Sequence, residues 1–322
     1  MHKQLSTWQL IRRSLQNNIA VMLLYVLESK GSSPGRQGFM MAVNADGEMN
    51  GSLGGGIMEH KFVEMAKAKL QQDLIEVSVH QQIHDKSVAK NQSGMICSGE
   101  QTIFLYTVKN GEAFVVQNII STLQQNKNAS LLLSANGISF ANEIPEKNYD
   151  LKIASDDSFV FTEKIGYKNK LCIIGGGHCS LALSQLMSSM DFYIHLFDHR
   201  DELNTMQQNS FVHEKKIVAG FEEIDAMVPS SANSFVVVMT VGYRTDVDAL
   251  KALAGKEFAY LGVLGSKSKI KKMFAQLVDQ GFDKAWLEKA HAPIGIQIKS
   301  QTPEEIAVSI AAEIIQVKNK WQ

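Results

Sequence analysis

Apolar and polar residues follow different patterns in the two halves of the chain, and the change predicts two domains. In the first half, an apolar run at residues 19–27 predicts a strand, and apolar segments 39–43 and 48–53 around a polar turn predict a hairpin. Amphipathic spacing over residues 58–70 predicts a helix. Further elements are predicted as strands at 74–83, 102–108, 129–134 and 138–143 and a helix at 113–124. We therefore expect a mixed α/β domain over residues 1–165.

Short apolar strands alternate regularly with amphipathic helices in residues 166–322. The strands are predicted at residues 171–174, 193–197, 215–218, 235–239 and 260–264. This alternation is typical of a parallel sheet covered by helices on both faces, so we expect a doubly wound, Rossmann-like domain. A capping box at Thr302-Pro303-Glu304-Glu305 predicts the start of the last helix. The polar stretch 146–169, with one short strand at 159–161, is predicted as the domain boundary.

Composition narrows the class of protein. Hydrophobic residues make up 45% and charged residues 20% of the chain, as in globular proteins. The balance of 32 Lys+Arg against 33 Asp+Glu argues against a nucleic-acid partner. Three scattered cysteines suggest neither a disulfide framework nor structural zinc. With so few cysteines, we expect the protein in a reducing cytoplasm. No apolar run approaches the ~18 residues of a membrane helix, so we expect no membrane span.

A glycine-rich loop at the first strand–helix junction of the second domain is the best-placed motif. It consists of Gly175, Gly176, Gly177, His178, Cys179 and Ser180. In a nucleotide-binding domain, Gly175 would form the tight turn and Gly177 would let the backbone approach a pyrophosphate. Free N–H groups at the start of the helix would bind the phosphate. The alternative is a Rossmann-like domain with a degenerate site.

Other candidate groups follow neighbouring strands, where parallel sheets bind their ligands. Asp198, 23 residues after Gly175, could accept hydrogen bonds from ribose hydroxyls, which favours NAD, whereas Arg200 leaves NADP open. Thr240 ends the fourth strand. Gly265, Ser266 and Lys269 follow the fifth, where the serine could cap a helix and the lysine could attract an anion. An ordinary N-cap with solvated lysines is the alternative.

Two glycine-rich loops of the first domain, at residues 31–38 and 52–56, are candidate anion sites. Exposed N–H groups in such loops, with Arg36 nearby, could bind an anion, although tight turns between strands are the alternative. Cys97 lies between glycines and could be an exposed soft metal ligand, whereas a lone cysteine is more often a small buried residue. Cys172 is predicted to be strand core.

The order and spacing of these segments resemble the XdhC/CoxI family, accessory factors that mature molybdenum hydroxylases such as xanthine dehydrogenase. In the first half, the resemblance rests on Gly31-Ser-Ser-Pro34 with Arg36, Gly51–Gly56 with Glu59, and Cys97-Ser98-Gly99. In the second, it rests on Gly175–His178, Asp198–Arg200, Met239-Thr240, Asp246, Tyr260–Ser266 with Lys269, and His291–Gly295. The stretch from Thr302 to Glu313 is the most distinctive match.

The resemblance implies an N-terminal XdhC/CoxI domain followed by a Rossmann domain. Family members are thought to bind molybdenum cofactor, as molybdopterin or its dinucleotide form, and to protect it during sulfuration by a cysteine desulfurase. They then deliver it to an apo molybdenum hydroxylase. The implied cofactor residues are Arg36, Gly54, Gly55, Gly56, Glu59 and Cys97, with Cys97 as the metal ligand through the cofactor.

Such a protein is a carrier with no catalytic residues of its own. An NAD(P)-dependent oxidoreductase and a nucleotide-sensing interaction protein are the alternatives. The oligomeric state stays open, a homodimer included. Three positions depart from the family's pattern: Ile57 stands where Cys is frequent, Ser98 replaces Gly, and Val241 stands where His is common.

Overall fold

The computed structural model describes residues 3–72, 77–83, 99–155 and 158–320. It divides into two compact units, Met1–Gly166 and Tyr167–Gln322. None of the helices in the described ranges is long and apolar enough to cross a membrane.

The first unit is built on two antiparallel sheets. Its elements are α1 (Leu5–Gln16), β1 (Val21–Gly31), β2 (Met40–Asn44), β3 (Met49–Gly51), α2 (Gly56–Gln71), β4 (Val77–Ile83), β5 (Gly99–Thr107), α3 (Ala113–Gln124), β6 (Ala129–Ser134), β7 (Gly137–Ala141), β8 (Tyr149–Ser155) and β9 (Ser158–Ile165). The strand orders are β3-β2-β1-β5-β4 and β7-β6-β9-β8. The predicted hairpin is confirmed as β2 and β3, which pair antiparallel.

Strand β1 is central in the first sheet and buried on both faces, which explains its uninterrupted apolar run. Met22 and Leu24 pack in one cluster with side chains of α2 such as Phe62. Leu23 and Tyr25 pack in another with side chains of α1, α3 and the second sheet. The unit therefore has a layer of apolar contacts on each side of β1.

The stretch predicted as a polar boundary differs from the structure. Residues in it form two paired strands, β8 and β9, rather than one short strand between loops. Phe159, Phe161 and Ile165 are buried while Ser158 and Val160 are exposed, so β9 is an amphipathic strand. Its second half contains Glu163, which is buried, and Lys164, and these charged residues disguised the strand in the sequence. The first unit ends at Gly166, one residue after β9.

The second unit is a parallel, doubly wound domain, as predicted. Its elements are β10 (Asn169–Ile174), α4 (His178–Met187), β11 (Phe192–Asp198), α5 (Asn204–Gln208), β12 (Glu214–Ile217), α6 (Ile224–Met227), β13 (Ser231–Val238), α7 (Tyr243–Leu253), β14 (Phe258–Val263), α8 (Lys267–Asp279), α9 (Lys284–Glu288) and α10 (Pro303–Lys320). Alternate residues of β10 enter two apolar clusters, Leu171 with α4 and α10 and Cys172 with α7 and α8. Both faces of the sheet are therefore covered.

In the strand order β12-β11-β10-β13-β14, the chain adds β11 and β12 on one side of β10 and then β13 and β14 on the other. The switch point of the sheet therefore lies between β10 and β13. Ligands of open parallel sheets bind in the crevice at such a switch point, beyond the carboxyl ends of the strands. The loop after β10 and the residues after β13 flank that crevice.

Candidate functional site

The glycine loop after β10 is held tightly against the two neighbouring strands. Gly175 has a φ of +109°, a left-handed conformation, and a Cβ atom there would collide with the Met239 carbonyl at the end of β13. Its N–H donates to the Phe197 carbonyl of β11 at 2.8 Å. The Ser180 hydroxyl donates to the Gly175 carbonyl. The Ser180 side chain therefore closes the turn rather than facing a ligand.

The next part of this loop is open. A Cβ atom on Gly177 would meet no atom within 4 Å, and His178 is exposed. Gly177 is the N-cap of α4 and no side chain caps the helix start. The N-terminal turn of α4 is therefore available to an anion in the way the sequence predicts.

Asp198 ends β11 beside the same loop and is fully buried. Its Oδ2 accepts from the Gly176 N–H at 2.6 Å and from Arg200 Nη2 at 2.8 Å. Its Oδ1 accepts from the Arg200 N–H and Nε–H, both at 2.9 Å. Burial opposes the charged form of Asp198, but the hydrogen bonds from Arg200 and Gly176 outweigh it and lower the carboxyl pKa. Asp198 is thus an ionised clamp between the glycine loop and Arg200.

A second buried carboxylate, Asp246, organises the ends of β13 and β14. Its Oδ1 accepts from the Thr240 hydroxyl at 2.5 Å and the Thr240 N–H at 3.0 Å. Its Oδ2 forms an ion pair with Lys269, whose Nζ also donates to the Leu264 carbonyl at 3.4 Å. The Ser266 hydroxyl accepts from the Lys269 N–H at 3.2 Å, so the predicted helix cap is present. Lys269 is therefore neutralised by a carboxylate rather than left as a free cation.

At the carboxyl edge of the sheet, Asp198 thus joins the glycine loop to Arg200, and Asp246 joins Thr240 to Lys269. The sequence associated Arg200 with a 2′-phosphate and did not predict its ion pair with Asp198, two residues away. The ion pair of Asp246 was also not predicted, because Lys269 lies 23 residues further along the chain. Cys179 lies at the start of α4, where burial, with a smaller contribution from Glu304, raises its thiol pKa. It is a weak nucleophile in this state.

In the first unit, the two glycine-rich loops pack directly on each other. A Cβ atom on Gly35 would collide with the Leu53 carbonyl, and one on Gly54 would collide with Pro34 and Gly35. The buried Gln101 side chain fixes the first loop by donating to the Gly35 carbonyl at 2.7 Å. The two loops therefore form one continuous surface, as a shared site requires.

Glu59 of α2 occupies the N–H groups of the second loop. Its Oε2 accepts from the Ser52 hydroxyl at 2.7 Å, the Leu53 N–H at 2.8 Å and the Gly55 N–H at 3.0 Å. The predicted anion cradle thus already holds an anion supplied by the chain. Glu59 orders the loop, and an incoming anion must bind to other groups.

Two exposed side chains flank the contact between these loops. Arg36 is exposed and its Nη1 donates to the Gly31 carbonyl at 3.1 Å. Ile57, three residues after Gly54, is 66% exposed. A cation and an apolar side chain are thus presented near the loop surface.

Cys97 and Ser98 lie outside the described residues. Gly99, which follows them, packs against Lys30 of β1 and Ser32 of the first glycine-rich loop. Cys172 is buried in β10, as predicted, and burial raises its thiol pKa to about 11. Within the described ranges, no group of three or more His, Cys, Asp or Glu side chains is arranged to hold a metal ion.

Comparison with protein families gives two matches, one in each unit of the chain. Residues 14–77 match the XdhC and CoxI family, and residues 171–314 match the XdhC Rossmann domain. The chain belongs to the XdhC/CoxI family. The two matches together cover more than half of it and contain the glycine loops of both units.

Relatives of this XdhC/CoxI chain include two curated bacterial proteins. The uncharacterized protein YqeB of Escherichia coli (strain K12) is 25% identical over 94% of the chain and 44% of its own length. A protein of Bacillus subtilis (strain 168), named as a probable xanthine dehydrogenase subunit, is 26% identical over 50% of the chain and 46% of its own length. The chain therefore spans less than half the length of each of these relatives.

A solved structure shares the fold of the whole chain. The crystal structure of a protein described as a xanthine dehydrogenase from Bacillus halodurans superposes with a TM-score of 0.72 at 22% identity. The match covers 98% of this chain and 97% of that one. The likeness supports the two-part XdhC/CoxI architecture.

Two of the departures from the family's pattern lie in the described residues, and both are apolar and exposed. Ile57 is 66% and Val241 is 67% exposed, the first at the start of α2 and the second just after Thr240. In this XdhC/CoxI member, each candidate site therefore presents one exposed apolar side chain at such a position.

Proposed function

We propose that this chain binds a molybdenum cofactor and assists the maturation of a xanthine-dehydrogenase-type molybdenum hydroxylase. Membership of the XdhC/CoxI family and the name of the Bacillus subtilis relative support this role. The observation that carries it is the joined surface of two glycine loops in the first unit, with Arg36 exposed beside it. The second unit supplies a separate nucleotide-type site at Gly177.

The residues of the first unit fit a flat, anionic ligand through Arg36 rather than through the loop N–H groups that were also expected to bind it. Glu59 accepts the hydrogen bonds of the Leu53 and Gly55 N–H groups, so these donors are not free for a second anion. Arg36 supplies the cation that a phosphate or pterin oxygen needs, and Ile57 supplies apolar contact for a planar ring. Cys97, two residues before Gly99 in the sequence, is the soft ligand suited to molybdenum.

When bound, the cofactor would supply a molybdenum centre whose terminal sulfur the client enzyme requires. The chain's own task is to hold the ligand, keep it from water and release it. It needs no proton donor or hydride site for that task. The partners in this proposal are an apo molybdenum hydroxylase and a cysteine desulfurase, met in the cytoplasm.

Ligand analysis of protein purified without oxygen tests the proposal. The protein is isolated from cells that make molybdenum cofactor and denatured, and the released molecules are analysed by mass spectrometry and elemental analysis. We expect a phosphorylated pterin together with molybdenum. The variants Arg36→Ala and Cys97→Ala should each lower the retained amount about tenfold, since each removes a proposed contact.

A matched control removes one exposed charge elsewhere in the same unit. Lys127→Ala, in the turn between α3 and β6, should retain as much pterin as the unmodified chain. Absence of pterin from the unmodified protein would contradict the proposal. Equal retention by all three variants would remove Arg36 and Cys97 from the site.

A further inference from the structure

The acceptor capacity of Asp198 is full. An ionised carboxylate offers about four lone-pair positions. Four donors occupy them, one from Gly176 and three from Arg200, at 2.6–2.9 Å. A ribose hydroxyl could donate to Asp198 only by displacing one of these bonds inside a fully buried cluster. Asp198, at the end of β11, therefore accepts hydrogen bonds from the protein itself rather than from a ribose.

Arg200 stands between this buried acid and solvent. Its Nε and Nη2 are fixed side-on by Asp198, and its side chain is 33% exposed. The fork geometry leaves the Nη1 donors outside the pair with Asp198. The Asp198 hydrogen bonds raise the Arg200 pKa further, so the guanidinium stays charged. Arg200 thus presents hydrogen-bond donors at the place where a ribose-binding site presents an acceptor.

His199 lies beside Arg200 at the end of β11. Its Nδ1 lies 3.5 Å from Asp198 Oδ1 and the side chain is 31% exposed, with its ring packed edge-on against Phe221. After the end of β11, His199 and Arg200 are each about one-third exposed, and the exposed Asp201 and Glu202 follow them in the chain. Asp198, the carboxylate that holds Arg200, is 1% exposed at its side chain.

We infer that the second unit selects a dinucleotide whose ribose carries a phosphate, and that Arg200 is the residue that recognises this phosphate. In Rossmann domains the pyrophosphate lies at the glycine loop, and an arginine after the second strand accommodates a 2′-phosphate. Gly177 and Arg200 occupy those two places. The inference deepens the nucleotide site of the proposed function and rests on it.

Equilibrium titration of the full chain with NADPH and NADH, followed by nicotinamide fluorescence, tests the inference. The unmodified protein should bind NADPH at least tenfold more tightly than NADH. Arg200→Ala should abolish this preference, because it removes the phosphate ligand. It also frees acceptor positions on Asp198, so NADH affinity should be kept or increased.

Two further variants separate recognition from folding. Arg200→Lys keeps the charge but loses the fork, and should retain only part of the preference. Lys271→Ala, which removes an exposed charge on α8, should leave both affinities unchanged. A merely structural Arg200 would weaken NADPH and NADH equally when replaced.

Three results would overturn the inference: NADH binding as tightly as NADPH, an unchanged preference in Arg200→Ala, or no binding of either by the unmodified chain. None of these bears on pterin retention by the first unit, which is measured separately. A failed titration with pterin retained would reject the phosphate site alone, and the reverse result would reject the carrier role alone.

Discussion

Gly175 and Gly177 are two residues apart in one loop, yet they differ in their tolerance of a side chain. Gly175→Ala places a Cβ on a left-handed backbone and against the Met239 carbonyl. We expect it to lower the free energy of unfolding by about 1–3 kcal/mol. Gly177 has a φ of −73° and open space around it, so Gly177→Val should cost no more than about 1 kcal/mol, the loss of a favourable N-cap residue.

Urea denaturation checks both stabilities, and the NADPH titration checks binding. Gly177→Val should abolish binding while staying folded, because its side chain fills the space a pyrophosphate needs. Gly111→Val, also at a glycine with open surroundings, is the matched control and should bind normally. Normal binding by Gly177→Val would exclude this loop as the phosphate site.

Glu59 is predicted to stabilise the first unit as an internal anion. Glu59→Ala leaves the Ser52 hydroxyl and the Leu53 and Gly55 N–H groups without their acceptor, and should cost about 1–3 kcal/mol of unfolding free energy. Glu64→Ala, on the same helix but exposed and in a surface ion pair with Lys67, should produce no measurable change. If the two variants unfold at the same urea concentration, the three bonds to Glu59 do not stabilise the loop.

At the scale of elements, Glu313 joins α10 to the segment beside β14. Its Oε2 accepts from the Tyr260 hydroxyl at 2.6 Å and the Gly295 N–H at 2.8 Å, and its Oε1 lies 3.1 Å from His291 Nδ1. Burial, followed by the bond to Glu313, raises the pKa of Tyr260. Glu313→Ala should therefore destabilise the second unit by about 1–3 kcal/mol, because it strands a buried hydroxyl.

A double-mutant cycle identifies the cause. Tyr260→Phe removes the stranded hydroxyl, so adding it to Glu313→Ala should cost less than Tyr260→Phe alone. Strictly additive effects in thermal or urea unfolding would mean that the Tyr260–Glu313 bond contributes nothing.

The sequence predicted elements well where local signals and tertiary packing agree. The α10 start followed from its capping box, and the cap of α8 from Ser266. Strand β8 was missed, because polar residues on an amphipathic strand resemble those of a linker. For the site, the strand ends were predictable, since a parallel sheet brings them to one edge. The hydrogen bonds that occupy Asp198 and Glu59 were not, although most of the donors are near in sequence, since the loop conformation decides which donors point at each carboxylate.

At the scale of the whole molecule, acid should unfold the second unit through His195. This side chain is 5% exposed, and neither ring nitrogen has a hydrogen-bond partner in the described structure. Burial lowers its pKa from 6.5 to about 4; Glu214 opposes the shift, while Lys170 and Lys216 add to it. The unfolded chain therefore binds a proton that the folded chain rejects. The free energy of unfolding should therefore be highest above pH 6.5. It should fall by on the order of 2 kcal/mol as the pH approaches 4.

Urea unfolding at pH 7, 5.5 and 4.5 measures this slope. His195→Leu should flatten it, because no imidazole is left to protonate, whereas His60→Gln on the exposed face of α2 should keep it. An identical slope in His195→Leu would assign the acid sensitivity to other groups.

The proposed maturation role is tested most directly by the molybdenum content of a client enzyme. A molybdenum hydroxylase of the same cell is purified from a strain lacking this gene, and its molybdenum, terminal sulfur and activity are measured. We predict a folded but inactive enzyme whose cofactor is absent or lacks the sulfur, with activity restored by the gene and not by its Cys97→Ala variant. Fully loaded and active molybdenum hydroxylases in the deletion strain would contradict the role.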